Sequence, residues 1–156
     1  MAYWLFKSEP DAISFQSLVD KLPADEEWHG IRNYGARNNM RLMKPGEHGF
    51  FYHSNIGKEI VGIVEVTRLS QQDSHTDDPR WDCVCFRPVA VLTRPVTLQD
   101  CKVIPGLEKM VLINNSRLSV QPVTAGEWRI ICDIGGVKAA QRPGLGWAEN
   151  LRETPG

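Results

Sequence analysis

The sequence predicts an α+β fold, a small and mostly antiparallel or mixed β barrel with helices packed around it. Three observations lead there. About five segments are dense in β-branched and aromatic residues. They follow one another instead of alternating with long helices, which argues against a doubly wound parallel sheet. Two Thr-x-x-acid helix openings, at Thr97 and Thr124, come after the longest of them.

Each element has a local reason. Residues 2–6 form the first apolar run, closed by Lys7-Ser8-Glu9-Pro10, where Pro10 biases Glu9 away from helix. Ser14 is placed to cap a short helix with Phe15, Leu18, Val19 and Leu22 at helical spacing and Pro23 beyond its end. Residues 28–34 read as loop, and residues 36–43 as a second helix stopped by Pro45-Gly46. A strand over 49–53 ends in the turn Asn55-Ile56-Gly57. The stretch 59–69 is a long β-branched strand, and 81–92 is another, in which Pro88 implies an edge position or a bulge. A short strand over 118–123 precedes the Thr124 helix, whose buried stripe is Trp128, Ile131 and Cys132. Residues 1–134 make the domain. Residues 135–156, rich in Gly and Pro, read as a tail that Trp147 and Leu151 can dock to the body.

A chain of 156 residues is one domain with room for a core. Eighteen Lys and Arg against nineteen Asp and Glu leave a net charge of −1. That excludes a whole-protein basic field as the source of nucleic-acid attraction, and equally an acidic, disordered chain. No apolar run approaches the ~20 residues of a membrane span, and the start lacks the pattern of an export signal. The expectation is a cytoplasmic protein. Cys83, Cys85, Cys101 and Cys132 contain no Cys-x-x-Cys pair and read as core-filling thiols in a reducing compartment, with structural zinc as the alternative.

The unusual chemistry lies in residues 28–41. Arg32, Arg37 and Arg41, followed by Lys44, occur there with aromatics and amides and no acid. Arginines so placed suit phosphates, and Trp28 or Tyr34 suits stacking on a base, while a solvated helix over a buried Trp fits the same letters equally. In Phe50-Phe51-Tyr52-His53-Ser54-Asn55, alternation sends Phe51 and His53 to one face and Phe50, Tyr52 and Ser54 to the other. His53, Ser54 and Asn55 can line a polar pocket, although a structurally satisfied His is the plainer reading. Lys7-Ser8-Glu9 and residues 114–119 are two further polar bursts. No Gly-x-Ser-x-Gly elbow, His-Glu-x-x-His pair, phosphate loop or dinucleotide fingerprint is found. A binding module is favoured over an enzyme, with no catalytic residue, cofactor or metal expected.

Taken in order, several motifs carry a resemblance. They are Tyr3-Trp4-Leu5-Phe6-Lys7-Ser8-Glu9-Pro10, Trp28-x-Gly30-Ile31-Arg32-Asn33-Tyr34-x-Ala36-Arg37-Asn38, Phe51-Tyr52-His53-Ser54-Asn55, Gly62-Ile63-Val64-Glu65-Val66 and Ser116-Arg117-Leu118-Ser119-Val120-x-Pro122-Val123. Together they resemble the EVE domain family from residue 2 to about 134. The resemblance implies a PUA-like fold, a mixed β pseudo-barrel with flanking helices, distantly similar to the YTH readers of methylated adenine in RNA. It implies a non-enzymatic reader of a modified nucleobase, modified cytosine in DNA foremost and RNA as the alternative.

By motif, Lys7, Ser8 and Glu9 fall at the pocket mouth, Trp28 forms an aromatic wall, and His53 with Ser54 forms the polar floor. Asn33, Tyr34 and Asn38 complete the base pocket, and Arg32, Arg37, Arg41, Lys44 and Arg117 hold phosphates. The implied partner is DNA or RNA carrying a modified base, with no membrane, no cofactor and a monomer favoured. His29, Gly35 and Asn115 depart from the family pattern and bear on base preference. Two other classes stay open: a small hydrolase or nuclease using His53 with Ser54 or Glu9, and a small-ligand or protein-interaction module.

Overall fold

The computed structural model describes residues 1–139. In chain order the elements are β1 (Tyr3–Ser8), α1 (Phe15–Asp20), β2 (Glu26–Glu27), α2 (Tyr34–Leu42), β3 (His48–His53), β4 (Glu59–Gln72), β5 (Asp82–Thr97), α3 (Leu98–Val103), α4 (Val111–Asn114), β6 (Val120–Val123), α5 (Ala125–Gly135) and β7 (Val137–Ala139). The strands form one mixed sheet in the order β2-β5-β4-β3-β1-β6, with β7 also paired to β5. Among the described residues only β1 and β3 run parallel. The other pairings are antiparallel, as the succession of strands in the sequence predicts.

Both faces of the sheet are buried, each by its own set of helices. On one face Trp4, Phe6, Phe51, Val64, Val66 and Phe86 pack with Phe15, Leu18, Ala36 and Met40 of α1 and α2. On the other, Leu5, Phe50, Tyr52, Ile60, Ile63 and Leu92 pack with Cys101, Leu112 and Ile131 of α3, α4 and α5. Strict alternation along β1 and β3 produces this division, so consecutive aromatics such as Phe50 and Phe51 serve opposite cores. Cys83, Cys85 and Cys101 are buried free thiols, and burial pushes the Cys83 thiol up to about 12, in keeping with a packing role.

The helix starts follow the sequence. Ser14 accepts from the Ser17 N–H, and Thr97 and Thr124 complete capping boxes with Asp100 and Glu127. Pro88 lies beside a bulge. Ala90 pairs with Ile63 and Pro88 with Val64, leaving Val89 as the extra residue, so the missing Pro N–H does not interrupt the ladder of an interior strand. Four features differ from the sequence reading. Strands β2 and β7 are too short to show a period, α4 is a single turn, and β4 and β5 run beyond 69 and 92 as an extended hairpin. Residues 135–139, read as the start of a tail, belong to the end of α5 and to β7. Trp147 and Leu151 lie outside the described residues. No helix among the described residues is long and apolar enough to cross a membrane.

Parallel pairing places the ends of β1 and β3 side by side, with Ser8 opposite His53. The chain leaving β1 is then pinned there. Ser8 Oγ donates to Ile13 O at 2.6 Å, and the Ser54 N–H donates to Ser8 O at 2.8 Å. His53 Nε2 accepts from the Phe15 N–H, the first of α1, at 3.1 Å. Phe15 in turn covers Gly62 of β4, where a Cβ would stand 2.3 Å from its ring. Gly62→Ala should therefore lower stability by about 1–3 kcal/mol in urea denaturation, because the ring must leave its seat.

A pH effect follows from the same stitch. Burial holds the His53 imidazole below its ordinary value of 6.5, with Glu59 opposing. A depressed folded value means that the contribution is complete above the unfolded value and is lost as pH falls through the folded one. Wild-type protein should lose more stability than His53→Gln when urea midpoints at about pH 7.5 and about pH 5.5 are compared.

Candidate nucleic-acid interface

Trp28 continues the β2 pairing, its N–H donating to Val84 O at 2.9 Å. This backbone bond turns the indole into the first core, where it is 5% exposed. Phe86 lies 5.0 Å from it, Phe51 5.9 Å and Phe6 6.3 Å, centroid to centroid. The last two meet the indole edge-on, and Ile13 and Ile31 pack against the same cluster from two loops. The sequence reading makes Trp28 an open wall; in this structure the indole is interior. Its Nε1–H is buried without a hydrogen-bond partner among the described residues. Such a donor costs about 1–3 kcal/mol relative to a paired one.

The strand-end cluster adjoins this box through Phe51, whose ring meets that of His53 at 5.7 Å and 85°. His53 accepts at Nε2, so the neutral ring carries its proton on Nδ1 and offers no free lone pair. Ser8 Oγ is committed to Ile13 O. In the free protein both groups are engaged in the stitch that joins the end of β1 to the start of α1. Ser54 is half-buried at the turn and Glu9 is exposed, its carbonyl accepting from the Ala12 and Ile13 N–H groups. Lys7 Nζ donates to Ser116 O at 2.6 Å, and burial lowers its pKa. That contact draws the 115–118 turn, with Arg117 exposed on it, to the end of β1.

The basic segment sorts itself by partner. Asn33 caps α2, its Oδ1 accepting from the Ala36 N–H at 2.9 Å, so this amide is structural in the free protein. Arg41 is held by Asp82 at 2.7 Å, and Arg32 by Asp73 at 3.1 Å. Arg37 instead spans neutral groups: Nη1 donates to Arg80 O at 2.9 Å and Nη2 to the Asn38 carbonyl at 2.8 Å. Its guanidinium lies 4.9 Å from the centroid of Tyr34. Tyr34, half-exposed, stacks on Trp81 at 5.1 Å, and Arg32 lies 5.4 Å from the Trp81 centroid. Arg37, Tyr34, Trp81 and Arg32 thus form a ladder in which the Trp81 ring itself is buried. Lys44 is exposed at the far end of α2.

The structure therefore gathers the expected residues into three neighbouring groups: the Trp28 box, the Ser8–His53–Ser54 corner with Lys7, and the α2 face. The connection between β4 and β5 supplies partners that sequence reading missed, namely Asp73, Asp78, Arg80 and Trp81. Arg80 pairs with Asp78 at 2.6 Å. Asp73 is buried, and although burial alone would raise its pKa, the Gly30 and His75 N–H groups and Arg32 hold it below the usual carboxylate range. Its signal in the sequence was faint: one acid among several in a polar loop.

Residues 2–134 match the family model of the EVE domain. Mouse thymocyte nuclear protein 1 is 32% identical, over 85% of this chain and 73% of its own length. The crystal structure of an Agrobacterium tumefaciens protein is 51% identical and superposes with a TM-score of 0.86, covering 92% of this chain and 99% of that one. The human THYN1 protein, whose structure is that of a complex with 5-methylcytosine containing DNA, is 30% identical with a TM-score of 0.79, covering 86% and 98%. The α+β architecture is accordingly the PUA-like one that the motifs imply, and this chain belongs to the EVE domain family.

Proposed function

We propose that the protein is a non-catalytic nucleic-acid-binding module that reads a single modified base, a modified cytosine in DNA foremost. The observation that carries this reading is the indole N–H of Trp28, a buried donor without an acceptor among the described residues, inside an aromatic box. A base carbonyl or ring nitrogen entering beside Trp28 would satisfy that donor, while the surrounding rings supply stacking. Extruding a base costs a few kcal/mol, and stacking returns roughly 1–3 kcal/mol per base. The human relative solved with 5-methylcytosine containing DNA supports the choice of ligand. Entry would require the loops bearing Ile13 and Ile31, which pack against the same core, to part. His53 and Ser54 then lie behind the base as hydrogen-bonding groups. Phosphate contacts fall first to Arg37, Arg117 and Lys44, since Arg32 and Arg41 already face carboxylates.

Trp28→Phe isolates the donor from the ring. Fluorescence anisotropy with a 5-methylcytosine oligonucleotide should show affinity at least about tenfold weaker, the scale of one hydrogen bond to a desolvated partner. Urea denaturation should show the free variant less destabilised than the lost burial and cavity alone would make it, because the orphaned donor is gone. Preserved affinity and preference in that variant would falsify the pocket assignment.

Arg37→Ala should weaken binding to methylated and plain oligonucleotides alike and reduce the salt slope by about 1. Arg41→Ala should change both quantities less, its charge being spent on Asp82. A loss confined to the methylated oligonucleotide would assign Arg37 to the base instead.

A further inference from the structure

The segment carrying Trp28 is tied to the connection between β4 and β5 by side chains that base reading does not use. Glu27 precedes the indole, and its Oε1 accepts from Ser74 Oγ at 2.6 Å. Asp73 accepts from the Gly30 N–H through Oδ2 and from the His75 N–H through Oδ1, each at 2.8 Å. The His75 imidazole faces both carboxylates. Its Nδ1 is 3.3 Å from Glu27 Oε1 and 3.7 Å from Asp73 Oδ1, with Ser74 Oγ at 3.2 Å.

The two separations from carboxylate exceed the about 2.7–2.9 Å of a charge-assisted N–H···O bond. They approximate the edge of a donor tetrahedron: bonds of about 2.0–2.2 Å to one ion put neighbouring donors about 3.3–3.6 Å apart. All three donor atoms lie within 4.8 Å of one another. The nearby arginines do not occupy the same oxygens. Arg32 takes Asp73 Oδ2 at 3.1 Å and Arg68 approaches Glu27 Oε2 at 3.9 Å, so Oδ1 and Oε1 stay turned toward the imidazole. Each retains a lone pair beyond the one its N–H or O–H donor uses.

We propose that Glu27, Asp73 and His75 form a divalent metal site of one nitrogen and two carboxylate oxygens, suited to Zn²⁺. One imidazole among carboxylates matches zinc, whereas Mg²⁺ wants an octahedron of oxygens. The fourth position opens to solvent on the side of His75, whose side chain is 57% exposed. His29 stacks on His75 at 3.7 Å and 17°, so its in-plane lone pairs run beside the ion and not toward it; it steadies the ligand ring. The ion joins Glu27, before the indole, to the loop whose Asp73 holds Gly30, after it. It clamps the Trp28 backbone from outside, independently of any base in the box.

Full-length protein, stripped with chelator, is titrated with Zn²⁺ alone by calorimetry. One ion per chain is expected, bound at least about tenfold more weakly by His75→Ala and by Glu27→Gln and equally well by His48→Ala. Melting temperature should rise with Zn²⁺ in wild type and in His48→Ala, and not in the two ligand variants. No measurable binding, undiminished binding by His75→Ala, or an equal response to Mg²⁺ would each overturn the site.

Discussion

The parallel pairing of β1 with β3 is the constraint on which the rest depends. An antiparallel partner would carry Lys7 and Ser8 to the opposite end of the sheet from His53 and Ser54. In parallel register Ser8 faces His53, and both strands release their polar ends at one corner. The N–H of Phe15 then finds its acceptor on the imidazole, α1 is anchored over Gly62, and the first core closes around Trp28. Hydrophobic burial on two faces holds the sheet. A few directed hydrogen bonds at this corner decide where the loops run.

Charge compensation shapes the surface that this frame presents. The run from residue 28 to 41 contains no acid, so in the sequence its arginines look alike. Folding gives Arg41 to Asp82 and Arg32 to Asp73, acids that arrive with the β4–β5 hairpin. Arg37 hydrogen-bonds a carbonyl and an amide and lies over a tyrosine ring, with no carboxylate in direct contact among the described residues. A chain of net charge −1 can thus hold a locally basic edge without a global basic field.

Local rules were legible wherever they involved neighbours in sequence. Ser14, Thr97 and Thr124 cap the helices that their spacing predicts, Pro88 marks a bulge, and Phe50 and Phe51 divide between the two cores. Relations across the fold were not. Trp81 read as the start of a strand, and nothing beside it in sequence announced Tyr34 as its stacking partner. Glu27, Asp73 and His75 meet only because the hairpin folds back over β2, which no ligand spacing can reveal.

Leaving the Trp28 donor unpaired makes sense as a difference between two states. A free protein that satisfied the indole N–H internally would have to break that bond before a base could use it, and the exchange would yield almost nothing. Left orphaned, the donor keeps its full desolvation cost in the free state, about 1–3 kcal/mol, and a base bound as proposed would relieve it. The penalty is tolerable because Phe6, Phe51 and Phe86 stabilise the indole by packing on its faces and edges whether or not its nitrogen is paired. On the proposed reading, discrimination would follow from the same arithmetic. A methyl group would add only about 0.8 kcal/mol of burial, whereas a base edge that failed to meet the N–H would leave the penalty in place, so the donor would select the edge and the methyl group would refine the choice.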